Sequence, residues 1–281
     1  MNIEKSTLHI GLEKPLKIFH ITDSHVALCD DRDNERKKAL ARRFVGADRK
    51  KLLEAHLAYG RENCDVIVHT GDLIDFTTQA NFDFVRKVLA DKKVFFAVGN
   101  HEFSQYVGEA YEDFAYKMNS FREMQPGLGA PLFFNSKIIG GVNFVGGMLF
   151  FDGSMRYREN QRVDEWDGWQ DWRIVDVETR YLEIYRYYVD MIRANMKPGM
   201  PTALCTHHLP HERLNGHAPS HYNFYSGAKD LVHELPFDPM YNNYLICGHT
   251  HRRVIGEVVP GFMGINVGSE YGRIEHYLVE M

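Results

Sequence analysis

The feature that most constrains this chain is a set of five short polar blocks, rich in Asp, Asn and His, that recur in a fixed order. Four of them fall immediately after a run of apolar and β-branched residues typical of a buried strand. In open α/β sheets, ligands collect beyond the carboxyl ends of the strands, so parallel strands would bring these blocks to one edge. The blocks are Asp23-Ser24-His25, Gly71-Asp72-Leu73-Ile74-Asp75, Gly99-Asn100-His101-Glu102, Thr206-His207-His208 and Gly248-His249-Thr250-His251.

The blocks supply the kinds of side chain that bind divalent metal ions, with seven candidate oxygen and nitrogen ligands and one spare histidine. Side chains at i and i+2 of an extended segment point the same way, so Asp23 with His25, and His249 with His251, could each face one ion. The carboxylate of Asp72 has two oxygens and can bridge two metals. The spacing therefore predicts a dinuclear metal site, which suits phosphate-ester hydrolysis.

Apolar periodicity predicts an alternation of strands and helices in the N-terminal half, and hence parallel β-α-β units. Short strands separated by Gly-Gly pairs follow, and they favour an antiparallel arrangement. Strands are expected at residues 16–22, 65–69, 94–98, 132–135, 142–145, 148–151, 202–206, 244–247, 254–259, 264–267 and 274–279, and helices at 35–59, 77–90 and 176–196.

One domain spanning residues 1–281 is expected, since the chain has no internal repeat and no Pro/Ser-rich linker. Loop insertions are expected around residues 26–50, 152–175 and 209–226. The N-terminus lacks a secretory signal, and no apolar stretch reaches the roughly 20 residues that cross a bilayer. We expect a cytoplasmic protein without membrane contacts; the sequence carries no signal for its oligomeric state.

The five blocks resemble the motif series of the calcineurin-like metallophosphoesterases: D-x-H, G-D-x-x-D, G-N-H-[DE], a later H, and G-H-x-H. All five elements are present in order, and the resemblance extends from Leu16 to near the C-terminus. It implies an α/β fold, a four-layer α-β-β-α sandwich of two mixed sheets flanked by helices. It also implies a hydrolase that acts on phosphoester bonds.

The resemblance further implies two sets of metal ligands that share one bridging carboxylate. The first metal would be bound by Asp23, His25 and His251, the second by Asn100, His207 and His249, and both by Asp72. His101 would lie near the substrate rather than on a metal. There it would stabilise the charge of the transition state or protonate the leaving oxygen.

A mixture of carboxylate, amide and imidazole ligands suits Mn²⁺, iron, Zn²⁺ or Co²⁺. Two such ions, roughly 3.5–4 Å apart, would hold a shared water or hydroxide and lower its pKa. The expected reaction is attack of this hydroxide on a small phosphodiester or phosphomonoester. His101 would assist departure of the alcohol, a contribution on the order of 10²–10⁴-fold.

Three residues beside these ligands are candidates for supporting roles. Asp75 is expected to orient a metal-binding histidine. His208 is expected to face the ligands or the substrate, or else simply to pack. His211 is the candidate substrate contact within a loop at 211–225, and the Trp-rich segment at 164–172 could also reach the substrate.

Two other functions stay open at this point. A nuclease of the double-strand-break repair type would need a basic, duplex-sized surface. The balance of 33 Lys and Arg against 38 Asp and Glu argues against it and against nucleic-acid partners in general. A catalytically inactive binding module on the same fold is expected to have lost ligands, and here every ligand position is kept.

A run of basic residues could form a phosphate-binding or nucleic-acid patch. Because these residues alternate with apolar positions, a solvated helix face is the preferred interpretation. The run comprises Arg36, Lys37, Lys38, Arg42, Arg43, Arg49, Lys50 and Lys51.

Overall fold

The structure of the protein, a computed structural model, describes residues 5–7, 12, 14–43, 46–76, 78–103, 134–162, 177–270 and 273–280. Within these residues the strands form two mixed sheets, one of five strands and one of six. The Trp-rich segment at 164–172 lies outside the described residues. None of the helices in the described part of the chain is long and apolar enough to cross a membrane.

The first sheet has the strand order β1-β11-β2-β3-β4. Strands β2, β3 and β4 are parallel to one another, while β11 runs antiparallel to β2 and parallel to β1. The bounds are Lys5–Thr7 for β1, Lys17–Ile21 for β2, Val66–His69 for β3, Val94–Phe96 for β4 and His276–Glu280 for β11.

The second sheet has the order β5-β6-β7-β8-β10-β9. Its central strands β6, β7, β8 and β10 are parallel, and the edge strands β5 and β9 are antiparallel to their neighbours. The bounds are Phe134–Ile139 for β5, Val142–Gly147 for β6, Thr202–Thr206 for β7, Asn243–Cys247 for β8, Val254–Val259 for β9 and Phe262–Asn266 for β10.

Four α-helices accompany the sheets within the described residues. Helix α3 begins after Thr78, whose hydroxyl accepts a hydrogen bond from the Asn81 amide and so satisfies one of the free N–H groups of the first turn. Helix α2 contacts β3, α3 contacts β4, and α4 contacts β5 and β6. The bounds are Glu35–Arg43 for α1, Gly46–Asn63 for α2, Gln79–Leu89 for α3 and Val177–Asn195 for α4.

The alternation of side chains along the strands builds the four layers. Successive residues of a strand face opposite sides of the sheet. Ile18 of β2 belongs to the core between the two sheets, together with Phe144 of the second sheet. The next residue, Phe19, belongs instead to the core shared with Leu53 and Leu57 of α2. Both faces of the central strands are therefore apolar, as the α-β-β-α expectation requires.

Two expected elements differ from the structure. The stretch predicted as one helix over residues 35–59 holds two helices, α1 and α2. The strand predicted at 148–151 is wrong, because Leu149 and Phe150 have φ values of 69° and 71°, which a strand does not allow. These residues are fully buried, and the Phe150 ring packs against His208, so tertiary packing replaces strand pairing here.

A glycine at the contact of β6 with β7 provides a test of this packing. A Cβ at Gly146 would overlap the backbone carbonyl of Cys205, its partner in β7. We expect Gly146→Ala to lower the free energy of unfolding by about 2 kcal/mol or more, since backbone cannot yield as a side chain can. Urea unfolding measures the change. Gly256→Ala is the matched control, because no heavy atom lies within 4 Å of its added Cβ; equal effects at both positions would contradict the packing.

Candidate metal centre

All five polar blocks lie at the carboxyl ends of strands, and they contact one another there. The first block follows β2, the second β3, the third β4, and the last two follow β7 and β8. Backbone bonds tie neighbouring blocks together: the amide of Asp23 donates to the carbonyl of Gly71 at 3.1 Å, and that of Gly248 donates to the carbonyl of His207 at 3.1 Å. The carboxylate of Asp23 also accepts from the amide of His249, which joins the two sheets.

One group of side chains gathers around His25. Its Nε2 lies 3.3 Å from Nε2 of His251 and 3.8 Å from Oδ2 of Asp72. The same His251 nitrogen lies 3.8 Å from Oδ1 of Asp23. On its other side, Nδ1 of His25 lies 3.1 Å from Oδ1 of Asp75. A carboxylate in that position keeps the proton on Nδ1, so Nε2 presents its lone pair to the group.

A second group gathers around His207. Its Nδ1 donates to the carbonyl of Thr70 at 2.8 Å, so Nε2 is the nitrogen that faces the rest of the group. His249 has the reverse arrangement, because its Nε2 donates to the carbonyl of Tyr225 at 3.1 Å. The inward nitrogens of the two rings face each other, with 3.0 Å between His207 Nε2 and His249 Nδ1. The Asn100 side-chain oxygen, a further acceptor, lies 2.7 Å from the same His207 nitrogen.

Asp72 lies between the two groups. Its Oδ2 is 3.8 Å from Nε2 of His25, 3.3 Å from Nε2 of His207 and 4.0 Å from Nε2 of His101. Its Oδ1 accepts a hydrogen bond from the His101 amide at 2.9 Å. Among the described residues, sets of three whose ligand atoms all lie within 4.8 Å of one another include His25 with Asp72 and His101, and Asp23 with Asp72 and His207.

This donor set fits metal ions. Several acceptors converge in each group, and acceptors that face one another at about 3 Å repel unless a proton or a cation lies between them. The atoms are carboxylate and amide oxygens and imidazole nitrogens, the ligands of hard and borderline divalent ions. No thiol takes part, since the clusters of the described residues contain only His and Asp.

The backbone at the ligands is strained. Five of the proposed ligands have positive φ, a region that residues with a side chain rarely enter. Such conformations cost on the order of 1–3 kcal/mol each and cluster at functional sites, where the surrounding structure imposes them. The values are 50° for Asp23, 45° for His25, 53° for Asp72, 71° for His249 and 54° for His251.

These positive φ values correct one expectation from the sequence. The chain is not extended at either i, i+2 pair, so the alternation of a strand does not decide which side chains share an ion. Asp23 and His25 do share a group, with His251. His249 and His251 do not: His249 groups with His207 instead. The Gly-His-Thr-His turn therefore divides its two histidines between the two groups.

Two glycines allow the blocks to approach one another. A Cβ at Gly99 would overlap the carboxylate of Asp72, and a Cβ at Gly248 would overlap the Thr22 hydroxyl and approach Asp23. Any larger residue would therefore displace an acidic side chain of the site. This close approach explains why a glycine precedes the candidate ligand in the third and fifth blocks.

His101 and Asp75 lie together beside the first group. Nδ1 of His101 lies 2.8 Å from the backbone carbonyl of Asp75 and 3.5 Å from its carboxylate. Burial lowers the pKa of His101, but the carboxylates of Asp72 and Asp75 outweigh this and raise it well above its usual range. Its side chain keeps 20% of its surface exposed, and that of His251 keeps 23%, so the site opens toward these two residues.

Burial and the central carboxylate set the remaining charges. Burial raises the pKa of Asp23 to about 7 and lowers that of His251 to about 3. For His207, burial lowers the pKa, but its neighbours, chiefly the adjacent Asp72, outweigh burial and raise it to about 9. Burial also opposes the charge of Asp72, yet the neighbouring histidines hold its pKa well below the usual range.

Glu102 is a buried carboxylate to which the sequence pattern assigned no role. Its Oε2 accepts from the amides of Gly99 at 2.6 Å and Asp72 at 3.0 Å, and its Oε1 accepts from the amide of Ile74 at 3.1 Å. It therefore fixes the second and third blocks relative to each other. The acidic fourth position of the G-N-H-[DE] motif is the one feature of the sequence that could have pointed to this role.

Arg49 corrects the interpretation of the basic run. A solvated helix face is expected for the run, and several members are exposed, but Arg49 of α2 is buried. Its Nη1 donates to the backbone carbonyl of His25 at 2.8 Å. The sequence offered no means of separating this arginine from its neighbours, because its position depends on how α2 packs.

His208 and His211 have different surroundings. His208 is buried, lies 3.1 Å through Nδ1 from the carbonyl of Met148, and joins His207 and His249 in one of the candidate groups. His211 is in none of the groups found among the described residues. It precedes the short helix Glu212–Leu214, and its Nδ1 accepts from the amide of Arg213. A substrate contact by His211 stays a prediction.

Comparison with known proteins agrees with this geometry. A model of the calcineurin-like phosphoesterases matches residues 16–253, and the chain belongs to that family. Family membership and the His/Asp clusters together indicate a dinuclear metal centre and metal-dependent hydrolysis of phosphoester bonds. No curated protein matches the chain.

The solved structures that match the chain are distant in sequence. A phosphopantetheinyl hydrolase from Mycobacterium tuberculosis is 16% identical over 91% of this chain and 89% of its own, with a TM-score of 0.55. A dimetal phosphatase from Danio rerio is 13% identical over 93% of this chain and 91% of its own, with a TM-score of 0.45. A hypothetical protein from Thermus thermophilus is 13% identical over 90% of this chain and 76% of its own, with a TM-score of 0.41. At this identity the first likeness concerns the fold alone.

The hydrogen bonds of Glu102 predict a stability effect that is independent of metal. In Glu102→Gln one acceptor oxygen becomes an NH₂ group, which must face a backbone N–H. We expect the free energy of unfolding at pH 8, with chelator present, to fall by about 2 kcal/mol, as for a buried donor left unsatisfied. Denaturant unfolding measures it. Glu257→Gln is the control, because that exposed side chain accepts from a single amide, that of Gly261; a loss as large there would exclude the proposed role.

Proposed function

We propose that the protein hydrolyses a small phosphodiester or phosphomonoester at a dinuclear metal centre. The observation that carries the proposal is the convergence of histidine nitrogens and acidic oxygens on two adjoining points. The ligands would be Asp23, His25, Asp72 and His251 for one ion, and Asp72, Asn100, His207 and His249 for the other.

The role of the chain itself is to hold these atoms in place. Bound metal ions supply Lewis acidity to phosphate oxygens and make water a nucleophile at neutral pH. Asp75 fixes the ring of His25, while the carbonyls of Thr70 and Tyr225 fix the rings of His207 and His249. Mn²⁺, iron, Zn²⁺ and Co²⁺ all suit the donor set.

His101 is proposed to protonate the leaving alcohol. The carbonyl of Asp75 fixes its Nδ1, which leaves Nε2 as the atom that can hand over a proton. The carboxylates of Asp72 and Asp75 raise the pKa of the imidazole, which favours its protonated form. Its partial exposure, at the open side of the site, allows contact with a substrate.

A small substrate is proposed because the chain lacks the charge that long nucleic acids require. Binding to a duplex rests on many phosphate contacts by Lys and Arg. The formal charge is −5, and of the basic run, Arg49 is already engaged with the backbone of His25. A cytoplasmic location remains part of this proposal.

Removal of the bridging carboxylate is the direct test. We expect Asp72→Asn to bind fewer than two Mn²⁺ per chain and to lose hydrolysis of both bis(p-nitrophenyl) phosphate and p-nitrophenyl phosphate. Each protein is chelated, reloaded with Mn²⁺ and assayed with both esters, and their ratio separates diesterase from monoesterase activity. Asp190→Asn is the control, since that carboxylate is exposed and pairs with Arg193, away from the site. Full activity and two metals in Asp72→Asn would refute the assignment.

Substitution of His101 should impair catalysis and leave metal binding intact. We expect His101→Asn to keep two Mn²⁺ per chain while kcat falls on the order of 10²–10⁴-fold, the usual contribution of a positioned acid. The loss should be larger for an alkyl phosphoester than for the p-nitrophenyl ester, because p-nitrophenolate leaves readily without a proton. Steady-state kinetics on both substrates measures this. Equal losses on both would argue against proton donation to the leaving oxygen.

A further inference from the structure

The turn that carries His249 and His251 is held from outside by three side chains, which we call the clamp: His217, Tyr222 and Asn266. Each of them donates a hydrogen bond to the turn. Two belong to the loop after β7, where an insertion was expected, and Asn266 is the last residue of β10.

The turn needs external support because its backbone is strained. Both histidines have positive φ, with a tight hydrogen bond of 2.9 Å from the Thr250 amide to the Gly248 carbonyl between them. A relaxed backbone would rotate the two imidazoles away from their present directions. Since His249 belongs to one ligand group and His251 to the other, such a rotation would affect both.

Tyr222 contacts His249 in two ways. Its hydroxyl donates to the His249 carbonyl at 3.2 Å, and its ring lies nearly parallel to the imidazole, at 18° with 6.5 Å between centroids. Three residues later in the same loop, the carbonyl of Tyr225 accepts from Nε2 of His249. The loop thus fixes both the backbone and the side chain of this ligand.

His217 holds the carbonyl between the two histidines. The Nε of Arg252, which can only donate, lies 3.5 Å from Nδ1 of His217, so Nδ1 accepts and Nε2 carries the proton. That Nε2 donates to the carbonyl of Thr250 at 2.8 Å. Gly216 permits the approach: its φ is +67°, and an added Cβ would lie 2.6 Å from Cβ of Arg252. The ring of His217 also packs edge-on against Tyr222, at 4.7 Å.

Asn266 is the third residue of the clamp. It is fully buried, and its Nδ2 donates to the hydroxyl of Thr250 at 2.8 Å and to the carbonyl of Leu214 at 3.1 Å. The same amide therefore ties the turn to the loop that carries His217 and Tyr222.

From these contacts we infer that His217 and Tyr222 are positioning residues, through which the loop after β7 sets the affinity of both metal ions. The inference rests on the proposed metal centre. Outer partners of metal ligands are typically worth about 10–100-fold in metal affinity. The two side chains are partly exposed, so their truncation leaves the core intact.

The experiment uses Mn²⁺ alone as the probe. The full chain is chelated and titrated with Mn²⁺, with free Mn²⁺ read from its EPR signal, and the Tm of the metal-free protein is recorded for each variant. The variants are His217→Ala, His217→Gln, which keeps a donor near the position of Nε2, and Tyr222→Phe, which keeps the ring. His233→Ala and Tyr157→Phe are matched controls on exposed side chains outside the clamp.

We expect His217→Ala and Tyr222→Phe to weaken Mn²⁺ binding by about 10–100-fold. The Tm of the metal-free protein should change no more than in the controls, and His217→Gln should recover most of the affinity. Unchanged affinity in both variants, or a loss that follows the Tm and is not recovered by glutamine, would overturn the inference. Failure of the unmodified protein to bind two Mn²⁺ would instead refute the proposed metal centre.

Discussion

The structure depends on one electrostatic constraint: nitrogen and oxygen atoms that can bind a metal ion are held close together around Asp72. Nε2 of His207 and Nδ1 of His249 are 3.0 Å apart, and Nε2 of His25 and His251 are 3.3 Å apart. Left alone, such pairs would rotate to find donors. Each of three rings is prevented from doing so by a partner on its far side, namely Thr70, Tyr225 or Asp75. A bound cation would satisfy these nitrogen and oxygen atoms together.

A rigid frame is needed to keep that arrangement. The five blocks come from both sheets, and the two sheets are joined by a closely packed core of alternate strand residues such as Ile18 and Phe144. At the edge of the core the blocks exchange backbone hydrogen bonds, and the buried carboxylate of Glu102 accepts three more. These bonds hold the candidate ligands at their positive φ values, so the strain at the site is borne by the core of the fold.

The sequence predicted the parts of this molecule that follow from local pattern. Most strands and helices lie within a few residues of the expected bounds, because an apolar strand buried on both faces leaves an unambiguous run. The prediction fails where conformation is imposed from a distance. Leu149 and Phe150 read as strand but adopt positive φ, since packing against His208 decides their position. The expectation that side chains at i and i+2 face one ion also fails at His249 and His251. Contacts from distant parts of the chain hold both residues at positive φ, so the segment is not extended.

The sequence pattern also could not predict the side chains that donate hydrogen bonds to the backbone of the metal-binding blocks. The carbonyl of His25 accepts from Arg49, and those of His249 and Thr250 accept from Tyr222 and His217. In each case a left-handed turn presents a carbonyl that no strand can pair, and a side chain from a segment between the core strands supplies the missing donor. Segments between core strands generally tolerate changes in length and composition better than the strands do. Changes in them that adapt the site to a new substrate would therefore also alter how firmly the metal ligands are held.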